Sequence, residues 1–150
     1  MTMPRRASTP KRSQPSTPRR RAQPWVLRDP AVLRLVFQTF EDLTTIRRHC
    51  AEEVESARND ESLYRNHLVR PDRSRLRRWR RMLDRVTRCW CVLDDLVRTN
   101  RLHATRCHEV YRDLLGIQVA WQHINGSPHV STLIAQTIDH VRQLLIQHAQ

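Results

Sequence analysis

Cysteine and histidine side chains gather between residues 89 and 108 of the 150-residue chain, where they could bind zinc. The candidate ligands are Cys89, Cys91, His103, Cys107 and His108, and structural zinc sites use such sulfur and nitrogen ligands. Residues two apart on a helix point about 200° apart, so Cys89 and Cys91 could share one ion only if their helix were broken. We therefore expect no metal and no cofactor, and we expect the cysteines to be buried free thiols.

A catalytic cysteine needs a histidine within hydrogen-bond reach. Cys50 follows His49 directly, and neighbouring side chains on a helix point apart. The chain has two glycines, Gly116 and Gly126, so it contains no glycine-rich loop that could hold a phosphate. The acidic residues expected on solvated helix faces, or in ion pairs with arginine, are Glu52, Glu53, Glu55, Asp94 and Asp95. The sequence predicts no catalytic residues and a protein that is not an enzyme.

The strongest chemical signal is basic. Residues 73–83 read RSRLRRWRRML, with six arginines in eleven residues, and Asp84 is the single acid between residues 73 and 88. On a helical wheel, one side of this segment carries arginines that we call the arginine face: Arg73, Arg77, Arg80, Arg81, Arg85 and Arg88. Like charges three and four apart destabilise a helix, and a polyanion would relieve that repulsion. The planar guanidinium suits phosphate, so the arginine face predicts binding to nucleic acid.

Composition agrees with an acidic partner. The chain has 27 basic and 15 acidic residues, a net charge of +12 and a pI near 11.3, which suits RNA, DNA or an anionic membrane surface. Of the basic residues, all except Lys11 are arginine. A GC-rich genome or an overlapping reading frame would also enrich arginine, and the sequence leaves both explanations open.

Residues 1–24 form a basic tail that holds five of the eight prolines and no acidic residue. Such a segment cannot bury enough apolar surface to fold, so we predict that it is disordered. Two units, residues 8–12 and 16–20, each place Thr-Pro ahead of a basic residue, which is the pattern that proline-directed kinases prefer. The basic clusters Arg5–Arg6 and Arg19–Arg21 are spaced like a two-part nuclear import signal. The tail's candidate phosphorylation sites are Ser8, Thr9 and Thr17, and its candidate nucleic-acid contacts are Arg19, Arg20 and Arg21.

From Asp29 onward, apolar residues recur at spacings of three and four, which predicts an all-α fold. We expect a four-helix bundle over residues 25–150, with helices at about 30–57, 72–98, 103–124 and 128–148. Asp29-Pro30 and Ser127-Pro128 each place a capping side chain before proline, as at a helix start, and Pro71-Asp72 resembles them. No strand is expected, and residues 59–70 are ambiguous.

The predicted second helix carries an apolar stripe within about 80° of one side. Its members are Leu76, Trp79, Leu83, Val86, Trp90, Leu93 and Val97. We expect both tryptophans to be buried in the core, and therefore not to stack on nucleic-acid bases.

The segment RLRRWRRML resembles the arginine-rich RNA-binding helix of lentiviral Rev proteins, which also sets a tryptophan among arginines. The layout, a basic Ser/Pro/Arg-rich tail before a helical domain, is similar to that of the accessory C proteins of paramyxoviruses. Residues 96–115, LVRTNRLHATRCHEVYRDLL, are similar to the helical part of those proteins. These resemblances imply a non-enzymatic viral regulatory protein that binds nucleic acid, RNA before DNA, in the nucleus and cytoplasm of a host cell.

A second interpretation is a protein-binding antagonist of host innate signalling, or a regulator of a viral polymerase, that acts through the surface of the bundle. No apolar run approaches the ~20 residues that span a bilayer, so we expect no membrane span and no secretion. The partners expected are nucleic acid and a host or viral protein, and the sequence leaves homo-oligomerisation open.

Overall fold

The chain is an all-α four-helix bundle. Its computed structural model describes residues 2–3, 25–26, 28–65 and 73–149, with side-chain surroundings for residues 2–3, 28–62 and 74–147. The four helices are α1 (Pro30–Arg65), α2 (Arg73–Thr99), α3 (Ala104–His123) and α4 (Pro128–Ala149). Two short strands, β1 (Trp25–Val26) and β2 (Arg101–Leu102), complete the described elements.

Each helix packs against two others, because α1 contacts α2 and α4 while α3 contacts the same two helices. Helices α1 and α2 run antiparallel: Arg75 near the start of α2 meets Asp60 late in α1, and Trp90 meets Thr44 earlier in α1. Helices α2 and α3 are also antiparallel, since Asp95 pairs with Arg106 and Arg85 lies over Gly116. The core therefore lies on the axis that the four helices enclose.

Helix boundaries follow local residue types. Asp29 caps α1, because its Oδ1 accepts a hydrogen bond from the Ala31 N–H at 2.9 Å. Ser127 precedes Pro128 at the start of α4, and its carbonyl accepts the Ser131 N–H at 3.0 Å. Helices α2 and α3 are followed by Asn100 and Asn125, with φ of 57° and 51°. Asparagine tolerates this left-handed conformation, which lets a chain with two glycines end helices without them.

The strands were not expected from the sequence. β1 and β2 pair antiparallel, with Trp25 opposite Leu102 and Val26 opposite Arg101. Two residues are too few for an alternating pattern to be recognisable. The pairing joins the segment before α1 to the connection between α2 and α3, where Leu102 is buried.

The buried side of α2 differs from the predicted stripe. Leu76, Trp79, Val86 and Leu93 are buried as predicted, but Leu83, Trp90 and Val97 are only partly buried. The positions one residue earlier are buried instead, and these are Met82, Cys89 and Leu96. The reason is that α2 packs against both α1 and α3, so the most buried line faces the bundle axis, and Leu83 and Trp90 flank it toward α1.

Helix α1 is longer than predicted and continues through part of the ambiguous segment to Arg65. Its last turns stay in contact with α2, because Ala57 is buried and Asp60 accepts a hydrogen bond from Arg75 at 2.7 Å. Residues 66–72, with Pro71 and Asp72, lie outside the described residues, as do residues 4–24. None of the described helices is both long and apolar enough to cross a membrane.

Candidate nucleic-acid interface

The arginine face lies on the solvent side of α2. Its five described side chains, Arg77, Arg80, Arg81, Arg85 and Arg88, are all exposed. Arg73 begins α2, but its side chain lies outside the described residues. The opposite side of the same turns carries buried Trp79, Met82 and Val86. Helix α2 therefore packs one side into the core and exposes arginines to solvent on the other side over about 16 Å, from Arg77 to Arg88.

Ion pairing distinguishes these five arginines from others. Within the described part of the chain, none of the five has a carboxylate oxygen within 4.0 Å. Described arginines that do form ion pairs with carboxylates include Arg58, Arg75, Arg98, Arg106 and Arg142. Their partners include Glu53, Glu55, Asp94 and Asp95, in the exposed or half-exposed positions that the sequence predicted. The guanidinium groups of these five arginines are thus free to bind an external anion.

Two other arginines of α2 have structural contacts. Arg75 donates from Nη1 to Asp60 Oδ2 at 2.7 Å and from Nη2 to Glu53 Oε2 at 3.2 Å. These bonds hold the start of α2 against the end of α1. Arg78 donates to both the carbonyl and the hydroxyl of Ser74, at 3.3 Å each. Both arginines lie outside the arginine face on the helical wheel. In the structure, both make contacts within the protein.

A groove runs along each side of the arginine face. The groove toward α1 has a volume of about 400 Å³ and is lined by Thr44, Arg47, Arg48, Ala51, Leu83, Asp84 and Thr87. The groove toward α3 has a volume of about 580 Å³ and is lined mainly by Arg88, Cys91, Arg106, Glu109, Arg112 and Asp113. Both grooves mix the two signs of charge, with three arginines and two acids toward α3 and two arginines and one acid toward α1.

Trp90 is not the buried anchor that the sequence predicted. It is partly exposed beside the α1 groove, where its Nε1 donates to Thr44 Oγ1 at 3.0 Å. The Phe40 ring lies 5.7 Å from it between centroids, and the Arg47 guanidinium carbon lies 4.4 Å from the ring centroid. Sequence spacing could not reveal this stack, because it joins residues on different helices.

The prediction for Trp79 is confirmed. Its side chain is 5% exposed and packs edge-on against buried Trp121, with ring centroids 5.3 Å apart. His49 lies beside both rings, at 6.1 Å from Trp79 and 5.7 Å from Trp121. His49 therefore lies at the edge of an aromatic cluster in the core.

The buried cysteines are poorly suited to nucleophilic chemistry. Burial raises the pKa of Cys50, Cys89 and Cys107 to about 12, so each is a protonated thiol near neutral pH. All four cysteines are free, but Cys91 is exposed, contrary to the expectation of burial. Its position on the solvent side of α2 follows from the burial of Cys89 two residues earlier. Within the described residues, no three histidine, cysteine or acidic side chains converge on a point that could hold a metal ion.

A buried polar contact joins α1 to α4. Asp42 Oδ2 lies 3.3 Å from His140 Nδ1, which is ion-pair distance, although the two atoms are not aligned for a hydrogen bond. Gln38 donates to the other carboxylate oxygen at 3.2 Å. Burial raises the pKa of the Asp42 carboxyl, and Gln38 and His140 oppose that shift. The sequence did not predict this pair. The one sign of it in the sequence is an acidic residue, Asp42, next to the apolar position Leu43.

Comparisons of the chain with protein-family models, curated protein sequences and solved structures found no match. The tail residues predicted to contact nucleic acid or to be phosphorylated lie outside the described residues. These are Ser8, Thr9, Thr17, Arg19, Arg20 and Arg21. Among the site residues predicted from sequence, the described ones are therefore those of α2, and the arrangement of their charges is the main guide to function.

Proposed function

We propose that the protein is a non-enzymatic regulatory protein that binds nucleic acid through the arginine face of α2, with RNA as the favoured ligand. The observation that carries the proposal is the contrast in pairing on α2. Arg77, Arg81 and Arg88 are exposed without a nearby carboxylate, whereas Arg98 is paired with Asp94. A cationic helix face that its own protein leaves unneutralised suits a polyanion.

The basic tail adds to this proposal. Its seven positive charges would contribute non-specific attraction to phosphates, and phosphorylation of Thr9 and Thr17 would reduce it. Two basic clusters in the tail favour transient entry into the nucleus. The resemblance to viral accessory proteins suggests a role in restraining viral RNA synthesis.

The test is the salt dependence of binding. Replacing Arg77, Arg81, Arg85 and Arg88 with glutamine should flatten the log–log slope of RNA affinity against salt by about three, since each phosphate contact contributes ~0.7 to 0.9. The matched control replaces four ion-paired arginines, Arg58, Arg98, Arg106 and Arg142, and so removes the same charge outside the arginine face. Full-length chains should be titrated with labelled RNA at several salt concentrations, and circular dichroism should be unchanged.

Equal slopes for the two four-arginine variants would contradict the proposal, because net charge alone would then explain the binding. A parent chain with no salt-dependent binding would also contradict it. Either result would leave α2 as a structural helix with a solvated basic surface.

A protein partner is the second candidate function. Leu115 and Val119 lie four residues apart on α3 and are 40% and 56% exposed, so they form a small apolar patch. A protein antagonist of host signalling or a regulator of a viral polymerase could bind there. Changing both residues to serine should then abolish the protein's effect on host signalling or on the viral polymerase in cells, without altering RNA affinity. If the protein acts through nucleic acid instead, that effect should persist.

A further inference from the structure

The groove between α1 and α2 extends the arginine face onto a second helix. Arg47 and Arg48 line it from α1, and Leu83, Asp84 and Thr87 line it from α2. Neither arginine has a carboxylate oxygen within 4.0 Å in the described part of the chain. The α1 side of the groove is therefore basic, and the exposed arginines of α2 lie beyond the residues that line its other side.

Arg47 is held in place before any ligand arrives. Its guanidinium carbon lies 4.4 Å from the centroid of the Trp90 ring. Trp90 is fixed in turn by its hydrogen bond to Thr44 and by the Phe40 ring. Stacking uses the face of a guanidinium and leaves its N–H edge available, so a phosphate would meet donors that lose little freedom on binding.

The tryptophans of α2 are poorly placed to stack on a base. Trp79 is 5% exposed. The ring of Trp90 is contacted by both Phe40 and Arg47. Proteins that bind single strands combine basic grooves with aromatic rings on which bases stack. The arrangement on α1 and α2 supplies cations without such rings, so it favours contacts to the sugar–phosphate backbone, which carry no sequence information.

Cations on two packed helices suit a duplex. Helices α1 and α2 pack against each other, so Arg47 and Arg48 of α1 lie on the helix next to the arginine face. A duplex keeps its bases stacked inside and presents two rows of phosphate, and double-stranded RNA is bound mostly through its shape and its backbone. A single strand offers only one row.

Asp84 lines the α2 side of the same groove. Its carboxylate would repel a phosphate placed inside the groove. The repulsion is weaker for phosphates that lie outside it, beside Arg47 and Arg48 on one side and beside the arginine face on the other. Asp84 thus favours two separated rows of phosphate over one central row.

We infer that the arginine face, together with Arg47 and Arg48, forms one cationic surface that binds backbone phosphates of a double-stranded nucleic acid regardless of sequence. The inference rests on the proposed function and adds the class of ligand and the second helix. It assigns Arg47 and Arg48 as binding residues, which the sequence had not singled out.

The experiment compares full-length variants on defined ligands. The test variant carries Arg47→Gln and Arg48→Gln. The control carries Arg34→Gln and Arg101→Gln, and so removes the same charge at exposed arginines near the start of α1 and just after the end of α2. The ligands are two RNA duplexes of unrelated sequence, single-stranded oligouridylate of the same length, and polyglutamate. Affinity is measured across a salt series.

The expected result is that the test variant flattens the duplex salt slope by about 1.5, from two lost phosphate contacts, while the control keeps the parental slope. Both duplexes should bind equally and more tightly than oligouridylate. Because Arg47→Gln also removes the stack on Trp90, Arg48→Gln alone repeats the test, with an expected loss of about 0.8.

Several outcomes would overturn the inference. The test and control variants could share one slope, oligouridylate could bind as tightly as the duplexes, or one duplex sequence could be strongly preferred. Polyglutamate that binds as tightly as duplex would identify a surface for acidic proteins instead. Failure of the proposed function is distinguishable, because it would appear as no effect of the four-glutamine change in the arginine face.

Discussion

Asp42 is the single buried acidic side chain among the described residues. Its layer of the core also contains Thr39 and Thr137, whose hydroxyls donate to the carbonyls of Leu35 and Leu133 at 2.7 Å each. The threonines thus form their hydrogen bonds within their own helices, whereas the polar contacts of the Asp42 carboxylate come from Gln38 and from His140 of α4. A charged group in such a place makes stability depend on pH.

Replacement of Asp42 with asparagine should reveal that dependence. Burial raises the pKa of the folded carboxyl above its ordinary value of 3.8, so the folded state holds this proton to higher pH than the unfolded chain does. The contribution of Asp42 to stability therefore falls as pH rises. From pH 3.8 to about pH 5.5, below the histidine range, urea unfolding should show Asp42→Asn gaining stability relative to the parent. A difference that stays constant with pH would contradict this account.

The two tryptophans of α2 should respond differently to truncation. Trp79→Ala removes a buried ring that packs on Trp121, and should cost ~3 to 5 kcal/mol of unfolding free energy. Trp90→Ala should cost less, because part of the ring is already exposed to solvent. Denaturant unfolding of both variants measures the difference, and an equal loss would mean that Trp90 is as buried as the sequence suggested.

At the level of the helices, much of the fold could be predicted from sequence because it depends on local chemistry. The spacing of apolar residues and the Asp29 and Ser127 starts determine four helices and their approximate ends. The exact buried side of α2 could not be predicted, because it depends on how many neighbours a helix has. Met82 and Leu83 are equally apolar, and only the positions of α1 and α3 decide that Met82 is the more buried.

The features of the candidate site also differ in whether the sequence could predict them. Exposure of the arginine face follows from the wheel, since arginines opposite an apolar stripe must face solvent. The Arg47–Trp90 stack and the Asp42–His140 contact join residues that are distant in sequence, so no local pattern encodes them. The lack of ion pairs at the five described arginines of the arginine face could not be predicted either, because it depends on where the neighbouring carboxylates lie.

The two glycines should respond in opposite ways to alanine. A Cβ at Gly126, between α3 and α4, would overlap the Trp121 ring, whose Nε1 donates to the Ser127 carbonyl at 3.3 Å. Gly126→Ala should therefore destabilise the protein by roughly 1 to 3 kcal/mol, as overpacking does. Gly116 is an exposed residue within α3, where a Cβ would meet only Arg85 Nη1 at 3.9 Å.

Gly116→Ala is the matched control, and it should stabilise α3 by about 0.5 to 1 kcal/mol because alanine is the better helix former. Thermal melting of both variants gives the comparison. Two changes of the same sign would show that the Gly126–Trp121 approach does not constrain the α3–α4 connection.

For the whole molecule, charge is divided between the basic tail and the surface of α2, and the two should act on the same ligand. We expect Thr9 and Thr17 to be phosphorylated in dividing cells, because each precedes proline in a basic context. Two phosphates would remove ~3 to 4 of the tail's positive charges and weaken RNA binding. Mass spectrometry of the protein from cycling and arrested cells checks the modification, and the lack of both phosphates in cycling cells would contradict it.

The most direct test of the account is to locate the arginines that a bound duplex covers. Phenylglyoxal modifies accessible guanidinium groups, and peptide mass spectrometry reads each site with and without RNA duplex. We predict protection at Arg77, Arg81 and Arg88, and none at ion-paired Arg58 or at Arg142 on α4. Protection confined to the tail arginines between Arg5 and Arg21, with the arginine face modified equally in both samples, would contradict the claim that α2 binds nucleic acid.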